Sequence, residues 1–153
     1  MEGEWVMDKT DEKLLALLAK DSDISASALV SQLNLSIPAI NKRISKLKSS
    51  GIIRRATVLT EPKAVGKPIL AYVMVVMDRF SNAQALFDYA EADQDVLECY
   101  AVTGEYDFIL KLCASDVEAL EDKLLELKKR RGIAKSHTML ALQEHKFTPT
   151  ALP

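Results

Sequence analysis

Nine apolar residues, ILAYVMVVM at Ile69–Met77, run unbroken between Pro68 and Asp78. Such a run is far short of the ~20 residues that a membrane-spanning helix needs. It reads instead as a buried strand. Upstream of Pro68 the apolar spacing is helical. In DKTDEKLLALLAKDSD, Asp8 is a helix N-cap with Asp11 three positions on in a box-like arrangement. Leu14, Leu15, Leu17 and Leu18 supply an apolar face, and the helix frays near Asp21. In ISASALVSQLN, Ser25 caps a second helix bearing Ala28, Leu29 and Leu33, and Asn34 suits a left-handed C-terminal position. A third helix starts at the Ser36 cap, tolerates Pro38 in its first turn, and runs to Ser50, where Gly51 closes it. Three helices at helix-turn-helix spacing thus precede the strand.

The third helix carries an unusual charge pattern. The chain as a whole has a formal net charge of −2, yet SIPAINKRISKLKSSG (36–51) contains Lys42, Arg43, Lys46 and Lys48 and no acid. No carboxylate occurs between Asp23 and Glu61, and Arg54 and Arg55 follow directly downstream. At about 100° per residue, Ile40, Ile44 and Leu47 gather on one side. Pro38, Ala39, Lys42, Ser45, Lys46 and Ser49 gather on the other, flanked by Asn41 and Arg43. A face of cations, hydroxyls and small residues enters a DNA major groove without steric or electrostatic penalty. Double-stranded DNA is therefore the expected partner. Ser36, Pro38, Asn41, Lys42, Arg43, Ser45, Lys46, Arg54 and Arg55 are the candidate contacts. Most of these contribute salt-sensitive phosphate affinity, with Lys42, Ser45, Lys46 and Asn41 the candidates for base edges.

After Gly51, residues 52–60 read as a short strand, and Pro62, Gly66 and Pro68 mark a linker over 61–67. The domain expectation is 1–60, then the linker, then 68–153. Beyond the Ile69–Met77 strand, Ser81 or Asn82 caps a helix bearing Leu86, Phe87, Tyr89 and Ala90. VLECYAV and DFILKLCA form a hairpin about TGEY, with Gly104 supplying the turn. Ser115 and Glu118 form a capping box, and Val117, Leu120, Leu124 and Leu127 make a core-facing stripe. Gly132 ends that helix, and IAKSHTMLALQEHKF is the last strand. The order β-α-β-β-α-β is the ferredoxin-like split arrangement. The fold class is α+β.

Catalytic and metal signatures are missing. His137 and His145 are the only histidines, and on one strand they would sit roughly 26 Å apart, which excludes a two-histidine metal site. Cys99 and Cys113 lie in apolar runs outside any C-x-x-C pair and read as buried free thiols. No nucleophile has a base at motif spacing. No cofactor or metal is expected, and the chain is not expected to be an enzyme. KKRRG at Lys128–Gly132 is a second basic run that complements a helix C-terminus, with a DNA or inter-subunit role as its alternative. The acidic N-terminus lacks the pattern of a signal peptide, so a cytoplasmic location and no membrane partner are expected.

Residues 8–55, DKTDEKLLALLAKDSDISASALVSQLNLSIPAINKRISKLKSSGIIRR, resemble the N-terminal half of Lrp/AsnC (feast/famine) transcriptional regulators. The likeness lies in Asp-x-x-Asp before a Leu-rich helix, the DSDIS stretch, LS-x-P and the closing GIIR. VLECYAVTGEYDFILKL and HTMLALQEHK extend it over about 8–148. The resemblance implies an N-terminal winged helix-turn-helix domain joined to a ligand-sensing α/β-sandwich domain. It also implies a homodimer that assembles into an octamer or another higher oligomer. In similar proteins an amino-acid effector sits between dimers, near the loop matching Thr103, Gly104, Glu105, Tyr106 and Asp107. Gly104 would let backbone N–H groups approach a carboxylate, and Glu105 or Asp107 would receive an ammonium. Ser136 and Thr138 are further effector candidates. Two other classes stay open on sequence grounds: an amino-acid-sensing oligomer without DNA binding, and a ferredoxin-like metabolic enzyme.

Overall fold

The first helix, α1 (Lys9–Lys20), begins where Asp8 Oδ1 accepts from Asp11 N–H at 2.8 Å while Asp11 Oδ2 accepts from Asp8 N–H at 3.1 Å. That reciprocal box satisfies two N–H groups which the first helical turn leaves without partners. Ser25 caps α2 (Ala26–Leu33) through a 3.2 Å bond from Ala28 N–H, and Asn34 ends it at φ 53°. Ser36 caps α3 (Ile37–Ser49) in the same way. Leu14, Leu29, Ile40 and Leu47 bury together, one or two from each helix, with Leu17, Leu18, Val30, Ile44 and Ile53 packed around them. The three apolar faces read from the sequence therefore meet in one core.

The computed structural model describes residues 6–79, 82–130 and 132–153. The chain divides into two compact units: Met1–Val58 with Lys146–Pro153, and Leu59–His145. The strand expected after Gly51 does not form; residues 52–60 are irregular and, apart from Ile53, exposed. No strand among the described residues lies beside this segment to pair its N–H and C=O groups. A lone strand without a ladder has nothing to hold it extended. Arg54 and Arg55 accordingly sit on irregular backbone.

The second unit holds β1 (Ile69–Met77), α4 (Ala83–Ala92), β2 (Val96–Ala101), β3 (Phe108–Ala114), α5 (Val117–Lys129) and β4 (Ile133–Leu140). The strands form one antiparallel sheet in the order β2-β3-β1-β4, as the split arrangement requires. Ala71, Val73, Val75 and Met77 of β1 and Phe108, Leu110, Leu112 and Ala114 of β3 point to one face. There they pack against Leu86 and Tyr89 of α4 and Leu120 and Leu127 of α5. The other face presents Tyr72, Met74, Ile109, Lys111, Tyr100, His137 and Met139 by register.

Four local expectations need correction. The α5 cap is Asp116, whose Oδ1 accepts from Ala119 N–H at 2.8 Å; Ser115 Oγ only supports that carboxylate. Val117 is therefore the first helical residue, too early to reach the sheet, and is 62% exposed rather than part of the buried stripe. Asn82 occupies the cap position of α4 but makes no cap bond, because its side chain donates to Asp78 Oδ1 at 3.0 Å; Ser81 lies outside the described residues. The last strand stops at Leu140, where β1 runs out of pairing positions after Ala141 N–H donates to Leu70 C=O. His145 is thus not on the strand that carries His137.

An ion network closes the start of the second unit. Lys67 Nζ lies 2.7 Å from Asp95 Oδ2, and Lys123 Nζ lies 2.8 Å from Asp93 Oδ2 and 2.9 Å from Asp95 Oδ2. Burial raises the Asp95 pKa, but the hydrogen bonds from Lys67 and Lys123 outweigh it and leave the carboxyl below its ordinary value. A carboxylate held low in the folded state adds stability above its unfolded pKa of about 4, lost as pH falls through the folded value. Thermal unfolding followed from pH 7 to pH 2 is thus expected to show a falling midpoint below pH ~4. Asp95→Asn should lower the midpoint at neutral pH and flatten that acid limb. An unchanged acid limb in the variant would remove Asp95 as its source.

Candidate nucleic-acid interface and effector loop

The surface of α3 away from the core carries Pro38, Asn41, Lys42, Ser45, Lys46 and Ser49, all exposed. Lys42 and Lys46 stand one turn apart, about 6 Å by rise, and Asn41 and Ser45 form the adjacent row. The Ser36 Oγ that accepts from Ala39 N–H at 3.4 Å keeps its own O–H free to donate to a phosphate. Ser49 Oγ donates to Lys46 C=O at 3.1 Å, a local bond that leaves the face open. Every residue of this face is cationic, hydroxylic, amide or small. Such a row supplies hydrogen-bond donors to base edges and positive charge to phosphates. Arg54 and Arg55, exposed just beyond the helix, add two cations to the same unit.

Arg43 departs from this set. Its Nη1 lies 2.8 Å from Asp8 Oδ2 and 2.6 Å from Asp11 Oδ1, and Asp11 is only 1% exposed. The hydrogen bond from Asp11 N–H, then that from Arg43, pulls the Asp8 carboxyl below its usual value. Bonding to Asp11 and then Asp8 raises the Arg43 guanidinium. The arginine fixes α3 against the start of α1. Its flanking position on the helical wheel was visible in the sequence, whereas its two acids lie 35 and 32 residues away, beyond the reach of local pattern reading.

In the second unit the hairpin between β2 and β3 is closed by Val102 N–H donating to Asp107 C=O at 2.9 Å. Gly104 takes φ 112°, a conformation open to glycine and few other residues. Thr103, Gly104 and Glu105 are exposed, and the Tyr106 ring stands 6.3 Å from the His137 ring. Asp107 is held down. Its N–H donates to Val75 C=O at 2.9 Å and its Oδ2 accepts from Met77 N–H at 2.7 Å, which pins the hairpin base to β1. Glu105 is thus the exposed acid of the loop, and Asp107 the half-buried one. Ser136 and Thr138 are half-buried opposite Val75 and Val73, on the helix-covered side of the sheet and across β1 from the hairpin. One chain does not gather them with the loop.

Two cations of the basic run at the end of α5 have partners within the second unit. Lys129 pairs with Glu126 at 3.0 Å, and the Arg130 guanidinium lies 5.2 Å above the Tyr89 ring. Arg131 lies outside the described residues. No group of His, Cys, Asp and Glu side chains able to hold a metal occurs among the described residues. No helix there is long and apolar enough to cross a membrane. The sheet face without helices escaped the sequence reading. Its signal was present, because β1 is apolar at every position, and a strand solvated on one face alternates instead.

Comparison with known proteins meets both units. Residues 7–54 match the family model "Winged helix-turn-helix DNA-binding", and residues 70–151 match "Lrp/AsnC ligand binding domain". The HTH-type transcriptional regulator FL11 of Pyrococcus furiosus is 31% identical over 151 residues, 97% of each chain. The DNA-binding transcriptional activator DecR of Escherichia coli is 27% identical over 97% of this chain and 99% of its own. Among solved structures, transcriptional regulator NMB0573 of Neisseria meningitidis, in complex with L-Met, superposes with a TM-score of 0.90. It is 27% identical and covers 97% of both chains.

Proposed function

Because the chain belongs to the Lrp/AsnC family of DNA-binding transcriptional regulators, we propose that α3 is its reading element. Asn41, Lys42, Ser45 and Lys46 meet base edges and phosphates, and Ser36, Arg54 and Arg55 grip the backbone on either side. Pro38 shapes the helix entry. The observation that carries this reading is the acid-free outer face of α3 in a chain of net charge −2. Arg43 aims the helix by holding it to α1. A second copy covers the helix-free sheet face, where Tyr100 and Met139 are 57% and 48% exposed. A two-fold dimer then presents two reading helices to a pseudo-palindromic operator, and larger assemblies follow from further contacts. Selection of genomic fragments by the purified protein tests the reading. The expected result is enrichment of fragments that share an inverted repeat; recovery no better than random sequence would overturn it.

We further propose that the effector is an α-amino acid held at the β2–β3 loop. Its carboxylate meets the N–H groups around Gly104 and its ammonium meets Glu105. The NMB0573 structure, holding L-Met, supports that ligand class. Glu105→Gln keeps the shape and removes the charge, so effector affinity by calorimetry should fall about 10- to 100-fold, the usual scale for a lost charged hydrogen bond. DNA affinity without effector should stay the same. Full effector affinity in the variant would move the ammonium site elsewhere.

A further inference from the structure

β4 ends at Leu140, where Ala141 N–H donates to Leu70 C=O at 2.9 Å. Residues 141–145 then run irregular and exposed, with Leu142 95% exposed. At Lys146 the chain re-enters the unit that holds α1, α2 and α3, and Lys146–Pro153 stays within it. There apolar side chains regain cover: Phe147 is 50% exposed and Leu152 48%. Pro149 and Pro153 each fix one backbone angle, which lowers the entropy that an irregular segment loses on ordering. In sequence, however, residues up to 151 continue the ligand-binding family model. One segment thus belongs by sequence to the sensing domain and by packing to the reading unit.

We propose that Lys146–Pro153 is a strap that couples the two units. The chain crosses between them twice, at Val58–Leu59 and at His145–Lys146. A unit on one flexible linker reorients freely, whereas a second tether removes much of that freedom. This second tether is short: fully extended, residues 141–145 reach roughly 17 Å. It also starts from a responsive place. Among the described residues β4 pairs with β1 alone, and its His137 ring stands 6.3 Å from the Tyr106 ring of the β2–β3 loop. A ligand that moves the loop displaces β4, and residues 141–145 pass that displacement to the strap. The input rests on the effector loop proposed above; the packing of the strap does not. Coupling then follows because the strap makes DNA affinity differ between the free and ligand-bound states.

Added slack tells a strap from a passive surface segment. Inserting Gly-Ser-Gly-Ser-Gly-Ser between Leu142 and Gln143 keeps every packed residue and adds roughly 20 Å of reach. The probe is L-methionine, the ligand of the NMB0573 structure. Operator affinity with and without it gives a coupling factor, about 5- to 150-fold in typical systems. In the inserted chain that factor should fall below about twofold, with L-methionine affinity by calorimetry and assembly mass equal to the parent's. A parent-sized factor would overturn the strap, as would a parent that binds L-methionine with no change in operator affinity. The second measurement needs no effector. Phe147→Ser with Leu152→Ser should speed amide hydrogen exchange in α1–α3 by about threefold or more, read by mass spectrometry, while β1–β4 keep parental rates. Unchanged exchange in α1–α3 would overturn the strap as well. A parent chain that binds no L-methionine counts against the effector loop instead, and the exchange rates then decide the strap.

Discussion

Replacing Lys42 and Lys46 together with glutamate is expected to lower affinity for an operator duplex by about 100- to 1,000-fold at 0.1 M salt. Each lysine on the exposed face of α3 that meets a phosphate contributes by releasing condensed counterions, and each such loss flattens the salt dependence by nearly one log unit per log unit of salt. Reversing the charge adds repulsion to that loss. Neither side chain belongs to the core formed by Leu14, Leu29, Ile40 and Leu47, so helicity and assembly mass should match the parent. Fluorescence anisotropy between 50 mM and 300 mM salt, with circular dichroism and light scattering as controls, measures all three. A salt-dependent affinity equal to the parent's would show that another surface holds the DNA.

Local chemistry made much of this fold legible before any coordinates. Caps at Asp8, Ser25 and Ser36 and the left-handed Asn34 are written within three or four residues of their partners, and an apolar period reports which face a helix buries. The nine-residue β1 and the Gly104 turn were readable for the same reason. What local pattern does not carry has one cause: it depends on what lies next to an element rather than within it. Residues 52–60 have the composition of a strand but, among the described residues, no strand to pair with. The last strand ends where β1 ends, a limit that its own sequence does not contain. One oxygen of the Asp107 carboxylate accepts from Met77 N–H, a partner 30 residues away in the sequence. Ser136 and Thr138 alternate correctly along β4, but the sense of that alternation is set by the register with Val75 and Val73.

Arg43 gives the second large effect, and it separates stability from recognition. With Arg43→Met the alkyl volume is roughly kept, while Asp11, 1% exposed, loses the cation that neutralises it. A buried carboxylate left without its partner costs about 2–3 kcal/mol here, less than for a fully enclosed pair because Arg43 itself is partly solvated. For a unit of this size that is a fall in midpoint on the order of 10 °C. Asp8, held low by Asp11 N–H and then Arg43, contributes stability above pH ~4 that is lost on acidification, so the variant's acid limb should also be shallower. Adding Asp11→Asn to Arg43→Met should recover part of the midpoint, because both members of the pair are then neutral. Affinity for DNA per folded molecule should change less than about threefold in either variant, since each leaves the outer lysines in place. If Arg43 instead met the duplex, the order would reverse: affinity would drop with the midpoint intact, and neutralising Asp11 would restore nothing. Thermal unfolding and anisotropy on the same two variants therefore decide whether this cation orients the reading helix or reads the DNA itself.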